Sequence, residues 1–336
     1  MARYTKAEAR DWARQNMVGV ANVTIPTMTA DCTRLNEKAI RHDVELSIEH
    51  GFVGSLACSE VAITLEEYAQ FCAIMADQAK DRMMVVHHAV FNTLEDNIKA
   101  VQMAEAGGAE LVLLGYPPTF YPKDYQQVID YTRAFCEATN LGVMLFPIPT
   151  WGFQRLHPAD LPVPVLREMV DTMPNVVAIK CEGGMPQIMA GIEVHREFHK
   201  DVVMSFPLEN EMIPLAQLMD IPFCGTNYSA YYGPLLPRIH KMLRAGDFAG
   251  ATEAFYKMDP ARKAFNNVPQ AGGGLINRML WKYESWLQGY NGGPLRHPTG
   301  RVHAPMMSAL RRGQELAGLN PTQDSDELFF IGRNPE

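Results

Sequence analysis

The sequence has no C-x-x-C pair, no run of about 18 apolar residues and no basic stretch, and each absence removes a class of protein. Its six cysteines, Cys32, Cys58, Cys72, Cys136, Cys181 and Cys224, are scattered along the chain. Neither a zinc ribbon nor a disulfide framework is indicated, and reduced thiols in the cytoplasm are the expectation. The opening MARYTKAEARDWARQN is charged and helical in character, without the apolar stretch of a signal peptide. No membrane span can be placed. A formal net charge of -8 and a pI near 5.7 leave no electrostatic footprint for nucleic acid or an anionic membrane. Nucleotide-cradling loops are missing too, since no G-x-G-x-x-G follows the first strand and no G-x-x-x-x-G-K-S/T occurs.

What is present is core-forming sequence. With 336 residues, 47% hydrophobic and 20% charged, the chain can fill one large α/β barrel or two ordinary domains. Short apolar segments recur about every thirty residues, each followed by a helical pattern, which is the period of βα units. They are expected at 18–25, 52–58, 83–88, 110–115, 142–146, 175–180, 201–205 and 223–227. Eight such units predict an α/β protein, a closed (β/α)8 TIM barrel, with an open doubly wound sheet as the alternative. Residues 1–246 form this barrel with an N-terminal helix. Residues 247–336 read as a helical extension packed on it, with helices at 248–268, 274–288 and 305–317. A Gly/Pro-rich loop, 289–300, interrupts them, and the polar segments 322–327 and beyond 332 are expected to be loosely held.

The most informative stretch is Pro174-Asn-Val-Val-Ala-Ile-Lys180-Cys-Glu-Gly-Gly184. Asn175 to Ile179 is nearly continuous apolar sequence between a proline and a glycine pair, the pattern of a strand buried on both faces. Lys180 ends it. An ammonium there cannot reach water freely, desolvation lowers its pKa, and the neutral amine can attack a carbonyl. The other reading is a lysine that clears the strand end and pairs with Glu182 or meets water. Cys181, the next residue, should point by strand alternation into the helix layer.

In a barrel the strand C-terminal ends carry function. Here they would gather Thr24 and Thr27, the Cys58-Ser59-Glu60 turn, His87 and His88, Tyr116, Phe146 with Trp151, Lys180, Ser205 with Glu209, and Asn227 with Tyr228. An amine facing polar groups and aromatics suits Schiff-base chemistry. It would condense with a 2-oxo acid, and the iminium is an electron sink for making or breaking the adjacent C–C bond. His87-His88 is not the His-x-His pair of a metal-dependent barrel hydrolase, so no metal is expected.

From about Val18 to Leu319 the sequence resembles the N-acetylneuraminate lyase and dihydrodipicolinate synthase superfamily of class I aldolases. Pro-Asn-Val-Val-Ala-Ile-Lys180 is similar to the family's Schiff-base strand, and Val23-Thr-Ile-Pro-Thr27 to its first-strand turn. Ala106-Gly-Gly-Ala109, Ala245-Gly-Asp-Phe-Ala-Gly-Ala251 and Gly293-Pro-Leu-Arg-His-Pro298 resemble further signatures in the same order. The resemblance implies Lys180 as imine former, no cofactor beyond that covalent imine, and a homotetramer.

Three departures shape the expected activity. The G-T-T-G-E turn that holds the oxo-acid carboxylate in the family is replaced by Leu56-Ala-Cys-Ser-Glu60, where backbone N–H groups of Cys58 and Ser59 and the Ser59 hydroxyl can serve. The fifth strand, which usually ends in a proton-shuttling tyrosine, ends here in Phe146, leaving His88 and Tyr116, or else His87 or Tyr228, as acid/base candidates. Trp151 stands where the synthase branch commonly places an arginine. With Phe146, Tyr228 and neighbouring aromatics it points to an apolar or aromatic aldehyde partner, as in the superfamily's hydratase-aldolases. Thr27 and Asn227 complete the expected binding residues. A dehydratase or decarboxylase on the same iminium, and a non-catalytic barrel binding an oxo acid, are the alternatives.

Overall fold

The strands Gly19–Thr24 (β1), Gly54–Ala57 (β2), Met84–Ala89 (β3), Leu111–Leu114 (β4), Gly142–Leu145 (β5), Val176–Lys180 (β6), Val203–Ser205 (β7) and Phe223–Cys224 (β8) run parallel and pair in chain order. Gly19 and Val20 of β1 meet Phe223 and Cys224 of β8, which closes the barrel. The computed structural model describes residues 3–182, 187–225, 227–268, 271–272 and 275–336. Central strands such as β4 and β6 are apolar on both faces because one face fills the barrel and the other meets helices.

Around the barrel lie helices Ala9–Asn16 (α1), Glu37–Glu49 (α2), Leu65–Ala79 (α3), Leu94–Ala106 (α4), Tyr125–Glu137 (α5), Val163–Thr172 (α6), Gln187–Phe198 (α7), Glu209–Leu215 (α8) and Leu235–Arg244 (α9). Several begin on side chains suited to the free N–H groups of a first turn: Asn36, Thr93 and Asp124 each cap one, and Thr64 forms a capping box with Glu67. The N-terminal segment seals the far end of the barrel. There the Tyr4 hydroxyl accepts from the Gly142 N–H (2.8 Å) and donates to the Glu110 carbonyl, and Arg10 Nε donates to the Val176 carbonyl (2.9 Å). The strand C-terminal ends are left for function.

The rest of the chain is helical, in Phe248–Lys257 (α10), Asp259–Asn267 (α11), Arg278–Leu287 (α12), Ala304–Leu316 (α13) and Asp326–Ile331 (α14), with a short antiparallel pair, Ala271–Gly272 (β9) and Leu275–Ile276 (β10), between α11 and α12.

Several expectations change. The helix expected over 248–268 is two, broken at Met258, because Pro260 lacks the N–H that a continuous helix needs and its ring opposes the carbonyl four residues earlier. Of the helix expected over 274–288, Gly274 lies outside the described residues and α12 starts at Arg278, since Asn277 Oδ1 caps it by accepting from the Leu280 N–H (3.1 Å). β8 stops at Cys224 because the Gly225 N–H and C=O turn to Ser205 Oγ (3.2 and 2.6 Å), an approach to Ala21 that leaves no room for a Cβ. The C-terminal tail is not loose. Arg333 pairs with Asp324 (2.6 Å), the Asn334 N–H donates to Asn291 Oδ1 (2.9 Å), and the Glu336 carbonyl accepts from the Ala30 N–H (3.0 Å).

On the helix-facing side of β3, His87 is wholly buried between Tyr68 and Phe91, and neither ring nitrogen has a partner among the described residues. Burial holds its pKa down to about 3. Below the unfolded value near 6.5 the unfolded chain takes a proton that the folded chain refuses, so stability falls as pH drops through that window. The expected loss from this group is about 2 kcal/mol between pH 7 and pH 5, measured by denaturant unfolding at each pH. His87→Phe should flatten that acid limb by the same amount.

Candidate active site

Lys180 is the last residue of β6, paired in register with Ser205 of β7, and only 4% exposed. Its burial follows from β6 itself, whose five residues are all inside. Desolvation lowers its pKa, against the opposing pull of Glu182. The lysine does not clear the strand end as the second sequence reading had it, but the pairing of that reading is present within the buried site, with Nζ 3.0 Å from Glu182 Oε2. Nζ also sits 3.9 Å from the ring centroid of Phe146 at the end of β5. A ring face attracts a cation, so Phe146 favours an ammonium or an iminium at that point.

His88, at the end of β3, alternates with His87 and takes the opposite face. Its pKa is held down to about 3 by burial, with the Lys180 charge adding to the effect, and Nδ1 has no partner among the described residues. His88 is therefore a neutral imidazole beside the amine. Glu182 is anchored to the β5 exit by its N–H, which donates to the Pro147 carbonyl (3.3 Å). Behind it, Glu211 on α8 has its pKa pushed up to about 7 by burial and then by the charges of Glu182 and Glu209.

The β2 exit presents Ser59, whose Oγ is buried and unpartnered among the described residues. Arg278 lies against this turn, paired with Glu60 and stacked 4.2 Å from the Trp281 ring centroid; burial pushes the Cys58 thiol up, and the Arg278 charge opposes this only in part. Four residues on, Lys282 donates to the Pro26 carbonyl (3.1 Å) and Thr27 Oγ1 (2.7 Å) at the β1 exit. Arg278 and Lys282 share one face of α12 because residues four apart are neighbours on a helix. That face lies over the ends of β1 and β2. A buried polar network beneath α12, with an unpartnered Ser59 hydroxyl, is what this arrangement can offer a small carboxylate-bearing molecule, and the Lys180 amine stands at the end of β6.

A model of the dihydrodipicolinate synthetase family matches residues 17–304. The chain belongs to this family. It is similar to the 4-hydroxy-tetrahydrodipicolinate synthase of Methanopyrus kandleri, with 21% identity over 310 residues covering 90% of this chain and 97% of that one. Among solved structures it resembles dihydrodipicolinate synthase from Thermotoga maritima (TM-score 0.76, 18% identity, 90% and 99% covered). N-acetylneuraminate lyase from Fusobacterium nucleatum is also similar (TM-score 0.73, 15% identity, 89% and 98% covered). At these identities the structures speak for the fold. As a member of the dihydrodipicolinate synthetase family the chain is a class I, aldolase-type lyase. The family acts on small oxo acids through a covalent lysine Schiff base without an external cofactor. No helix among the described residues is long and apolar enough to cross a membrane.

The structure groups the family enzyme's expected residues unevenly. Lys180, Phe146, His88 and Ser59 end at the mouth. Trp151 is half-buried beside them, its Nε1 donating to the Phe146 carbonyl (2.6 Å) and its ring edge-on to Phe146. Asn227 is half-buried, with Oδ1 accepting from the Tyr228 N–H (2.9 Å).

Other expected roles are corrected. The Tyr116 hydroxyl turns away to Thr132 on α5 (2.8 Å), inside a buried cluster with Phe120, Tyr131 and Phe153. Burial raises its pKa. The Tyr228 hydroxyl bonds Ser285 of α12 (2.6 Å) and its ring stacks on Trp281. Thr27 is occupied by Lys282 and the Gly292 carbonyl (3.1 Å), and the Cys58 N–H by the Thr24 carbonyl (3.0 Å). These groups hold α12 and the strand ends together. Cys181 faces the helix layer, lining a small cavity with Leu161 and Val194.

Glu182, Glu211, Arg278 and Lys282 were missed as site residues. Glu182 had a signal, two residues past Lys180 and so on the same side of an extended chain. So did Arg278 and Lys282, two cations four apart in an otherwise largely apolar helix.

Trp151 reaches its place because Gly115, after β4, has no side chain. A Cβ there would lie 2.1 Å from Val90 Cγ1 and 2.7 Å from Trp151 Cη2. Gly115→Ala is expected to destabilise the protein by about 1–3 kcal/mol through overpacking, read from chemical denaturation.

Proposed function

We propose that this enzyme is a Schiff-base carbon–carbon lyase, an aldolase or hydratase-aldolase, that holds pyruvate or a larger 2-oxo acid as an iminium on Lys180. The observation that carries the reading is the buried Lys180 amine at the end of β6, with its pKa lowered by desolvation. A neutral amine attacks the C2 carbonyl, and the iminium that follows is stabilised by the Phe146 ring face 3.9 Å from Nζ. The unpartnered Ser59 Oγ supports a carboxylate site at the β2 exit, where Arg278 supplies the nearest guanidinium.

Phe146 and the half-buried Trp151 supply the apolar wall for the second reactant, an apolar or aromatic aldehyde. The other aromatics of these loops support it less, since Tyr116, Phe120 and Phe153 pack on one another. The relatives' synthase activity is disfavoured here because an indole, not a cation, occupies position 151. The same reading, on family likeness, has the enzyme assemble as a homotetramer in the cytoplasm.

Incubation with pyruvate and sodium borohydride, followed by peptide mass spectrometry, is expected to give one reduced adduct confined to the Lys180 peptide. Lys180→Ala should give none. Failure of pyruvate and of a panel of larger 2-oxo acids to label the wild type would end this reading. Screening aryl aldehydes with pyruvate then identifies the partner by condensation rate.

A further inference from the structure

Every lysine-iminium lyase must move protons near one nitrogen, yet the aromatic ring closest to that nitrogen here is a phenylalanine. The nearby tyrosine hydroxyls are engaged elsewhere, Tyr116 with Thr132 and Tyr228 with Ser285. Among the described residues the ionisable groups close to the amine include Cys224, a thiol that burial pushes up, His88 and Glu182. His88 is sealed in the barrel as a neutral ring, with Nδ1 buried and unpartnered among the described residues. Glu182 has its buried Oε2 3.0 Å from Nζ, while its side chain as a whole is still 19% exposed, so the group borders both the amine and solvent.

We infer that Glu182 is the acid/base of this site, carrying the protons between the Lys180 nitrogen, the substrate and solvent. The assignment rests on Lys180 being the imine former proposed above. Three features make the carboxylate suited to it. Its position is fixed at both ends, by the chain through Lys180 and by the N–H bond to the Pro147 carbonyl across at the β5 exit (3.3 Å). The Pro147 carbonyl that holds it directly follows Phe146, whose ring centroid is 3.9 Å from Nζ. Glu211, buried on α8, adjoins it and can hold a proton near neutrality, giving Glu182 a neighbour to exchange with.

The proton inventory closes with this one group. When Nζ adds to C2 of a 4-hydroxy-2-oxo acid, Glu182 takes a proton from nitrogen and delivers it to the former carbonyl oxygen, giving the carbinolamine. It then relays a second proton from solvent to that hydroxyl, which leaves as water and creates the iminium, and this second proton goes back to solvent when the last iminium is hydrolysed. Glu182, a carboxylate again, then accepts the C4 hydroxyl proton. The C3–C4 bond breaks, C4 leaves as the aldehyde, and the electron pair flows into the iminium to give an enamine. The same proton is returned to C3, and water hydrolyses the resulting pyruvate iminium to free the lysine. No oxidant or reductant is needed.

The test needs only pyruvate. In D2O, an enzyme that interconverts iminium and enamine washes deuterium into the pyruvate methyl group, which proton NMR follows directly, and borohydride trapping in parallel reports the imine. Glu182→Gln keeps the side-chain size and removes the charge. It is expected to slow methyl exchange by at least about 100-fold, the usual scale of a lost general base. The trapped adduct on Lys180 should remain after long incubation, and Glu182→Asp should recover part of the exchange. An ion-pair role alone gives a different result. Without the carboxylate the ammonium is less favoured, so imine formation would hold or quicken while exchange stayed at the wild-type rate. Wild-type exchange in Glu182→Gln therefore overturns the assignment while leaving Lys180 in place. Absence of any adduct in the wild type overturns the lysine reading and this one together.

Discussion

The desolvated amine of Lys180 is the constraint on which the rest of the site depends. A lysine held inside a barrel is tolerated only if its charge is weakened, balanced or both. Burial weakens it, Glu182 at 3.0 Å balances it, and the Phe146 face spreads the remaining field. The same low-polarity surroundings keep His88 neutral and lift the Glu211 carboxyl toward neutrality. Burial, more than any one charge, thus sets the protonation states around Lys180.

The C-terminal helices decide which part of the mouth stays available. α12 is laid across the ends of β1 and β2 by two cations on one face, Lys282 on Thr27 and Pro26, and Arg278 on Glu60. Tyr228 and Ser285 close the adjoining β8 side. That covering absorbs hydroxyls which an uncovered barrel would present to substrate. It leaves Ser59, His88, Phe146 and Lys180 as an arc from β2 to β6. On the β4 and β5 side, the aromatic loops mostly pack on α5, so the polarity of the partner pocket is set by Phe146 and Trp151.

Much of this was legible in the sequence. The period of apolar segments and helical patterns determined the eight βα units, since a strand buried on both faces must be apolar throughout and a helix must present a stripe. The position of Lys180 at a strand end, and the loss of a tyrosine at Phe146, followed from order along the chain alone. What the sequence could not carry was direction. Tyr116, Thr27 and Tyr228 stand where a barrel puts function, yet whether a hydroxyl there meets substrate depends on what packs behind it. Thr132, Lys282 and Ser285, the partners that claim them, are 16, 255 and 57 residues away. The sequence by itself determined the barrel and a lysine buried at a strand end, because both depend on local patterns of burial. Only the tertiary structure decided which polar groups reach that lysine, because hydrogen bonds between distant segments fix where each side chain points.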